Sequence, residues 1–148
     1  MIHMYKIKEH IDKVIANQIV FQQKIKAYHW NVEGATFSQL HKLFDEQYEE
    51  VADMIDKLAE RIQMMKEYPL ASLAKALEMT TLSEANQGKV SSQDMLKDIL
   101  ESHEKTIALL NSTIEKMDAI GDKGTEDLLI EQLQKHQKMA WMIRATLG

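Results

Sequence analysis

Hydrophobic residues recur at alternating steps of three and four along most of this chain, which is the spacing of one face of an α-helix. We predict four long helices over about residues 5–33, 36–68, 91–120 and 122–147. A long, largely polar crossover over about 69–90 separates the second helix from the third and carries a short helix near 70–77. Such a crossover lets the two helices that it joins run parallel. The pattern predicts an all-α four-helix bundle with one short extra helix in the crossover.

The apolar faces of these helices define the expected core. Gln18 is the one polar member of the inward face of the first helix, and His103 and His136 fall on the inward faces of the third and fourth. We interpret both histidines as hydrogen-bonded core residues rather than ligands, because a buried polar group needs a partner. Phe37 and Met64, at the two ends of the second helix, are expected in the core.

Length and composition narrow the class of protein. The 148 residues form one domain, 1–148, and contain five glycines, one proline and no cysteine, which excludes disulfides and thiolate metal sites. The net charge of −5 argues against nucleic acid as an electrostatic partner. We find no signal sequence and no run long enough to span a membrane, so a cytoplasmic protein is predicted.

The second helix carries two pairs of potential metal ligands. His41 and Asp45 are four residues apart, as are Asp56 and Glu60, so each pair lies on one helix face. Asp45 and Asp56 are eleven residues apart, about 16 Å along the axis, which is too far to bind one ion. Two copies crossing antiparallel about a two-fold axis would join the halves into two complete sites. The alternative is an ordinary solvated acidic face.

Imidazole and carboxylate without thiolate suit Fe(II), Mn(II) or Zn(II), and few ligands per ion would leave positions open for redox chemistry. A di-iron centre inside one bundle is built from Glu-x-x-His motifs on facing helices. No glutamate in the sequence has a histidine three positions later. The spacing therefore favours iron bound between chains over iron bound inside one chain.

The run YHWNVEGATFSQLHKLFDEQYEEVADMIDKLAERI, residues 28–62, resembles the Dps family, the mini-ferritins named as DNA-binding proteins from starved cells. The resemblance implies a ferritin-like bundle assembled into a hollow homo-dodecamer. It also implies ferroxidase centres at dimer interfaces, where Fe(II) is oxidised, with hydrogen peroxide preferred over dioxygen, and stored as ferric mineral, protecting against oxidative stress. By motif, one subunit supplies His29, His41 and Asp45, and its mate supplies Asp56 and Glu60.

The resemblance adds two further expectations. Trp30 matches a tryptophan near the family's centre, as an electron or radical relay or, alternatively, as interface packing. Acidic pores for iron entry are implied at the start of the fourth helix, with Asp122, Asp127 and Glu131 as candidates. The alternative is that these acids complement the helix dipole.

Some family members bind DNA through a lysine-rich N-terminal arm. The first fourteen residues here hold three lysines against two acids, and the helical pattern already begins at Ile7, so we expect DNA binding to be weak. A non-catalytic shell or DNA-compacting protein of the same fold remains the rival hypothesis. The loss of a ligand would be its signature, and all five ligand positions are filled.

Overall fold

The computed structural model describes the backbone of residues 2–148 and the side chains of residues 7–148. Its elements are α1 (Ile2–Asn31), α2 (Phe37–Met64), α3 (Leu73–Met79), α4 (Ser92–Ile120) and α5 (Lys123–Leu147), with no strand in that part of the chain. α1 packs mainly on α2 and α4 mainly on α5, and these two helical hairpins join through the contact of α1 with α4. The predicted bundle with a short crossover helix is confirmed.

Local side-chain chemistry sets most of the helix ends. Ser91 caps α4 by accepting from the Asp94 amide at 3.1 Å, and Gly121 ends that helix with φ of 89°. α1 ends at Asn31 rather than near residue 33 as predicted. Thr36 and Gln39, three residues later, match the sequence of a capping box, which predicts that Thr36 caps α2, but Thr36 makes no capping hydrogen bond with its side chain. Its ψ of 16° is not the extended geometry that directs a capping oxygen at the helix amides.

The buried residues follow the predicted inward faces and form two adjoining clusters along the bundle. The predictions that Phe37 and Met64 lie in the core are wrong, because Phe37 is 41% exposed and Met64 is 69% exposed. Both lie at the ends of α2, where the helix periodicity continues but the covering helices do not. None of the described helices is long and apolar enough to cross a bilayer.

A buried polar cluster ties the last turns of α1 to α4 and to the crossover. The Lys24 ammonium, on a residue only 2% exposed, lies 2.9 Å from Asp98 and 3.0 Å from the Ser102 hydroxyl. Tyr28 donates to Asp98 at 2.6 Å and accepts from the Asn86 amide at 3.1 Å. Burial and this hydrogen bond to Asp98 raise the pKa of Tyr28 to about 12. The cluster therefore fixes the segment of α1 that immediately precedes His29.

Candidate metal centre

His29 and His41 face each other across the α1–α2 hairpin. Their rings are stacked, with centroids 3.8 Å apart and planes 13° from parallel. His29 Nδ1 lies 2.7 Å from the backbone oxygen of His41, and His41 Nδ1 lies 2.7 Å from the backbone oxygen of His29. Each imidazole is thus held by the backbone of the other helix as well as by the ring on which it stacks.

This reciprocal pairing fixes the tautomers. A carbonyl oxygen only accepts, so Nδ1 of each ring must carry the proton. In the neutral form, each Nε2 then presents its lone pair, which is the state that binds a metal. Metal-binding histidines commonly donate their other ring N–H to a carbonyl or carboxylate in this way. Both rings are therefore held in the tautomer whose free nitrogen is Nε2.

Asp45 adds an oxygen to this pair. One of its carboxylate oxygens lies 3.8 Å from His29 Nε2, and its side chain is 43% exposed. An ion that binds nitrogen and oxygen at about 2.0–2.2 Å can bridge such a gap. The Lys26 ammonium stands 3.9 Å from the same oxygen and 4.2 Å from the centre of the Tyr48 ring. The carboxylate thus already attracts a cation from its own chain.

Asp56 and Glu60 lie further along α2, and both are exposed. α2 is one continuous helix from Phe37 to Met64, so about 16 Å of helix rise separates Asp45 from Asp56. No group of three or more His, Asp or Glu side chains that could hold a metal is found within residues 7–148 of one chain. The structure therefore pairs His29 with His41 and His29 with Asp45, without a three-ligand cluster in one chain, and leaves Asp56 and Glu60 apart from them.

Two aromatic side chains border the histidine pair. Phe37 stacks on His41 with ring centroids 4.9 Å apart, which gives the first residue of α2 a role that its expected place in the core did not suggest. Trp30 directly follows His29 and is 59% exposed. A large exposed aromatic beside a half-site suits both interpretations of Trp30, as a relay and as an interface contact.

The three pore candidates differ in their surroundings. Asp122 caps α5 by accepting from the Thr125 amide at 3.1 Å and pairs with the Arg61 guanidinium at 3.1 Å. Burial alone would raise the pKa of Asp122, but the hydrogen bonds from Thr125 and the charge of Arg61 outweigh it and lower the pKa. Glu131 pairs with two lysines, at 3.6 and 3.8 Å. Asp127 is exposed, and none of the ion pairs formed within residues 7–148 involves it.

The chain is similar to known proteins in both sequence and fold. Residues 8–148 match the ferritin-like domain family. The DNA protection during starvation protein of Helicobacter pylori is 39% identical over 147 residues, which cover 97% of this chain and 98% of that protein. The structure of a Dps protein from Bacillus brevis superimposes with a TM-score of 0.95 at 30% identity, covering 100% of this chain and 99% of that one.

A Dps protein from Vibrio cholerae superimposes with a TM-score of 0.93 at 26% identity, covering 99% of this chain and 91% of that one. That protein is described as a member of a broad superfamily of ferritin-like diiron-carboxylate proteins. The likeness thus extends over nearly the full length in both sequence and fold. This chain belongs to the Dps family of ferritin-like proteins.

Proposed function

We propose that this protein is a ferroxidase that oxidises Fe(II) at centres shared between two subunits and stores the ferric product inside a hollow homo-dodecamer. Each centre takes His29, His41 and Asp45 from one subunit and Asp56 and Glu60 from its partner. The protein would act in the cytoplasm, and removing Fe(II) together with an oxidant would protect the cell against oxidative damage. Fe(II) is the substrate, with hydrogen peroxide or dioxygen as electron acceptor.

The observation that carries the proposal is the reciprocal bonding of His29 and His41 to each other's backbone. It leaves the Nε2 atom of each ring without a backbone partner, with His29 Nε2 3.8 Å from an Asp45 oxygen, in a chain whose remaining ligand pair is too distant along α2 to join them. Solvated surface histidines have no such constraint. A preset nitrogen pair with an incomplete oxygen set suits a site that a second subunit completes.

The chemistry of the donor set suits this reaction. Carboxylates are hard ligands that favour the ferric product, while imidazoles suit both oxidation states of iron. With peroxide, two Fe(II) ions each lose one electron, the O–O bond breaks, and two protons convert the oxygens to two waters. With dioxygen as the acceptor, two electrons and two protons give hydrogen peroxide. The protein contributes ligands and positions them, and neither acceptor requires a group beyond those ligands.

Mixed assemblies test whether two chains share the centre. An assembly made only of His41→Ala chains, or only of Asp56→Ala chains, should be inactive. The two variants are then co-expressed with different tags, and assemblies that contain both are purified through both tags. A dimer with one chain of each type keeps one intact centre of two. Random pairing in equal amounts thus restores about a quarter of the parental Fe(II) oxidation rate.

Exposed Asp53 lies on α2 between the two ligand pairs, and its carboxylate pairs with Lys57 at 3.2 Å. Asp53→Ala is therefore the matched control and should retain parental activity. If assemblies that contain both variant chains recover no activity, the centre is not shared in the proposed way. If the His41→Ala assembly alone retains parental activity, the ligand assignment itself is wrong.

A further inference from the structure

Halfway along the bundle, each of the four long helices contributes one buried polar side chain to a single hydrogen-bonded layer. His103 Nδ1 lies 3.0 Å from His136 Nδ1. His103 Nε2 lies 2.8 Å from the Gln47 side-chain oxygen, and His136 Nε2 lies 3.0 Å from the Gln18 side-chain oxygen. All four residues are at most 2% exposed. The layer is separate from the candidate metal centre and uses none of its ligands.

The proton count of this layer is unusual. An amide oxygen only accepts, so each glutamine oxygen requires a proton on the histidine Nε2 that it faces. Two Nδ1 atoms at 3.0 Å require one proton between them, because two lone pairs would repel. Three protons on the four ring nitrogens make the pair a monocation. For the pair to be neutral with every contact kept, one glutamine must present its NH₂ group instead of its oxygen.

The surroundings identify which glutamine can turn. The Gln47 NH₂ group donates to the backbone oxygen of Met139 at 3.3 Å, and reversal would set two carbonyl oxygens against each other. The Gln18 NH₂ group donates to the Met54 sulfur at 3.5 Å, which is a weak acceptor. Reversal of Gln18 therefore loses little and supplies a donor to His136 Nε2.

We propose that this layer is an acid-sensitive latch of the bundle, in which rotation of the Gln18 amide accommodates one added proton and a second proton breaks the His103–His136 bond. In the neutral state the bonds run in one direction: Gln18 donates to His136, His136 to His103, and His103 to Gln47. The first proton keeps all of these contacts by reversing Gln18. The second leaves two Nδ1–H groups facing each other, so the core must open.

The electrostatic environment agrees with this order of events. The described contacts of the pair are with Phe21 on α1, whose ring centre is 4.6 Å from that of His103, and with the two neutral amides. Of the charged groups on these helices, the paired Lys24 and Asp98 come close to the layer, since Lys24 bonds Ser102, the residue before His103. Thr106, one turn after His103 on α4, and Gln132, one turn before His136 on α5, are buried and uncharged. Burial and the neighbouring His136 lower the pKa of His103 well below its usual value, and burial lowers the pKa of His136 to about 3.

Because the pKa values of His103 and His136 are lower in the folded chain than in the unfolded chain, acid favours unfolding. Above the unfolded value of about 6.5, both states are neutral and the full stability is present. As the pH falls from there toward the folded pKa values, the unfolded chain binds protons at both positions before the folded chain does. The latch should therefore weaken below about pH 6 and contribute two protons per chain to acid unfolding.

Proton linkage in the assembled protein provides the first test. The pH dependence of the unfolding free energy between pH 4 and 6, measured in urea at fixed protein concentration, gives the protons taken up per chain. His103→Gln and His136→Gln should each reduce that number by about one, and the double variant by about two, with ferroxidase activity at neutral pH unchanged. A double variant with the parental proton number would overturn the proposal.

Nitrogen NMR of ¹⁵N-histidine in the parental assembly provides a test that needs no variant. At neutral pH one of the two facing Nδ1 atoms should carry a proton and the other a lone pair. After the first acid step, three of the four ring nitrogens should be protonated while the bundle stays folded. Two identical Nε2–H tautomers at neutral pH, or a shift of these resonances on adding Zn²⁺, would overturn the latch, the latter in favour of a metal site.

Discussion

The buried ion pair between Lys24 and Asp98 makes a quantitative prediction about how α1 is held. Asp98→Asn keeps the shape of the side chain but removes the charge that Lys24 faces at 2.9 Å and the oxygen that Tyr28 bonds at 2.6 Å. Removing one partner of a buried pair costs about 3–5 kcal/mol, because the other charge stays desolvated. The Asp98 side chain is 18% exposed, so water partly compensates and we expect about 3 kcal/mol.

The reverse change should cost less. Lys24→Met leaves a carboxylate that still accepts from Tyr28 and reaches solvent, so we expect a loss of about 1–2 kcal/mol. For a chain of this size each kcal/mol shifts Tm by about 2–4 °C, which puts Asp98→Asn about 6–12 °C below the parent. Glu104→Gln changes an exposed carboxylate on the same helix and is the matched control, expected within about 0.5 kcal/mol of the parent.

Thermal unfolding followed by circular dichroism, at one protein concentration for all four proteins, decides the question because assembly makes Tm concentration-dependent. The order from most to least destabilised should be Asp98→Asn, Lys24→Met, then the control. If Lys24→Met is the more damaging change, the loss of the ammonium contacts with Asp98 and Ser102 costs more than leaving that ammonium without its carboxylate. An Asp98→Asn protein as stable as the control would refute the electrostatic reasoning altogether.

Three further predictions concern iron entry, DNA and the start of α5. Asp127→Asn should slow iron uptake into an intact shell more at low than at high ionic strength, since negative pore walls concentrate cations. If the variant and parental shells take up iron equally at low salt, Asp127 only complements the helix dipole. DNA binding should be weak, because twelve chains of charge −5 carry roughly −60, and a plasmid gel shift at physiological salt would contradict this. Gly124→Ala would bring a Cβ within 2.5 Å of an Arg61 nitrogen and displace the guanidinium from Thr125 and Asp122. The free energy of unfolding, measured in urea, should therefore fall by about 1–2 kcal/mol. The same change in an Arg61→Ala background should cost nothing.

The sequence predicted the features that depend on short-range spacing. The periodic spacing of hydrophobic residues located the helices, and the four-residue spacing of His41 and Asp45 placed them on one face. Each spacing is a property of a single helix, so it can be recognised from the sequence. The hydrogen-bonded core positions of His103 and His136 are confirmed for the same reason. Gln47 was missed, although its three-residue step from the buried Phe44 could have marked it as a core polar residue.

Long-range features were beyond the reach of periodicity. The contact of His29 with His41 depends on how the hairpin closes over residues 32–36, and only the family motif indicated His29. The exposure of Phe37 and Met64 depends on where neighbouring helices stop, which no spacing within α2 reports. The metal ligands themselves, and the union of the two half-sites, stay predictions that the mixed assemblies test.

The uninterrupted length of α2 has a consequence for when the chemistry can begin. Since the helix keeps its two ligand pairs about 16 Å apart, a newly made chain would have no competent centre under the proposed function. Catalytic capacity would then appear only on encounter with a second chain, and its initial growth after synthesis or dilution would follow the square of the chain concentration. Oxidation of iron would be restricted in time as well as in space, starting only where a container for its insoluble product is already being built.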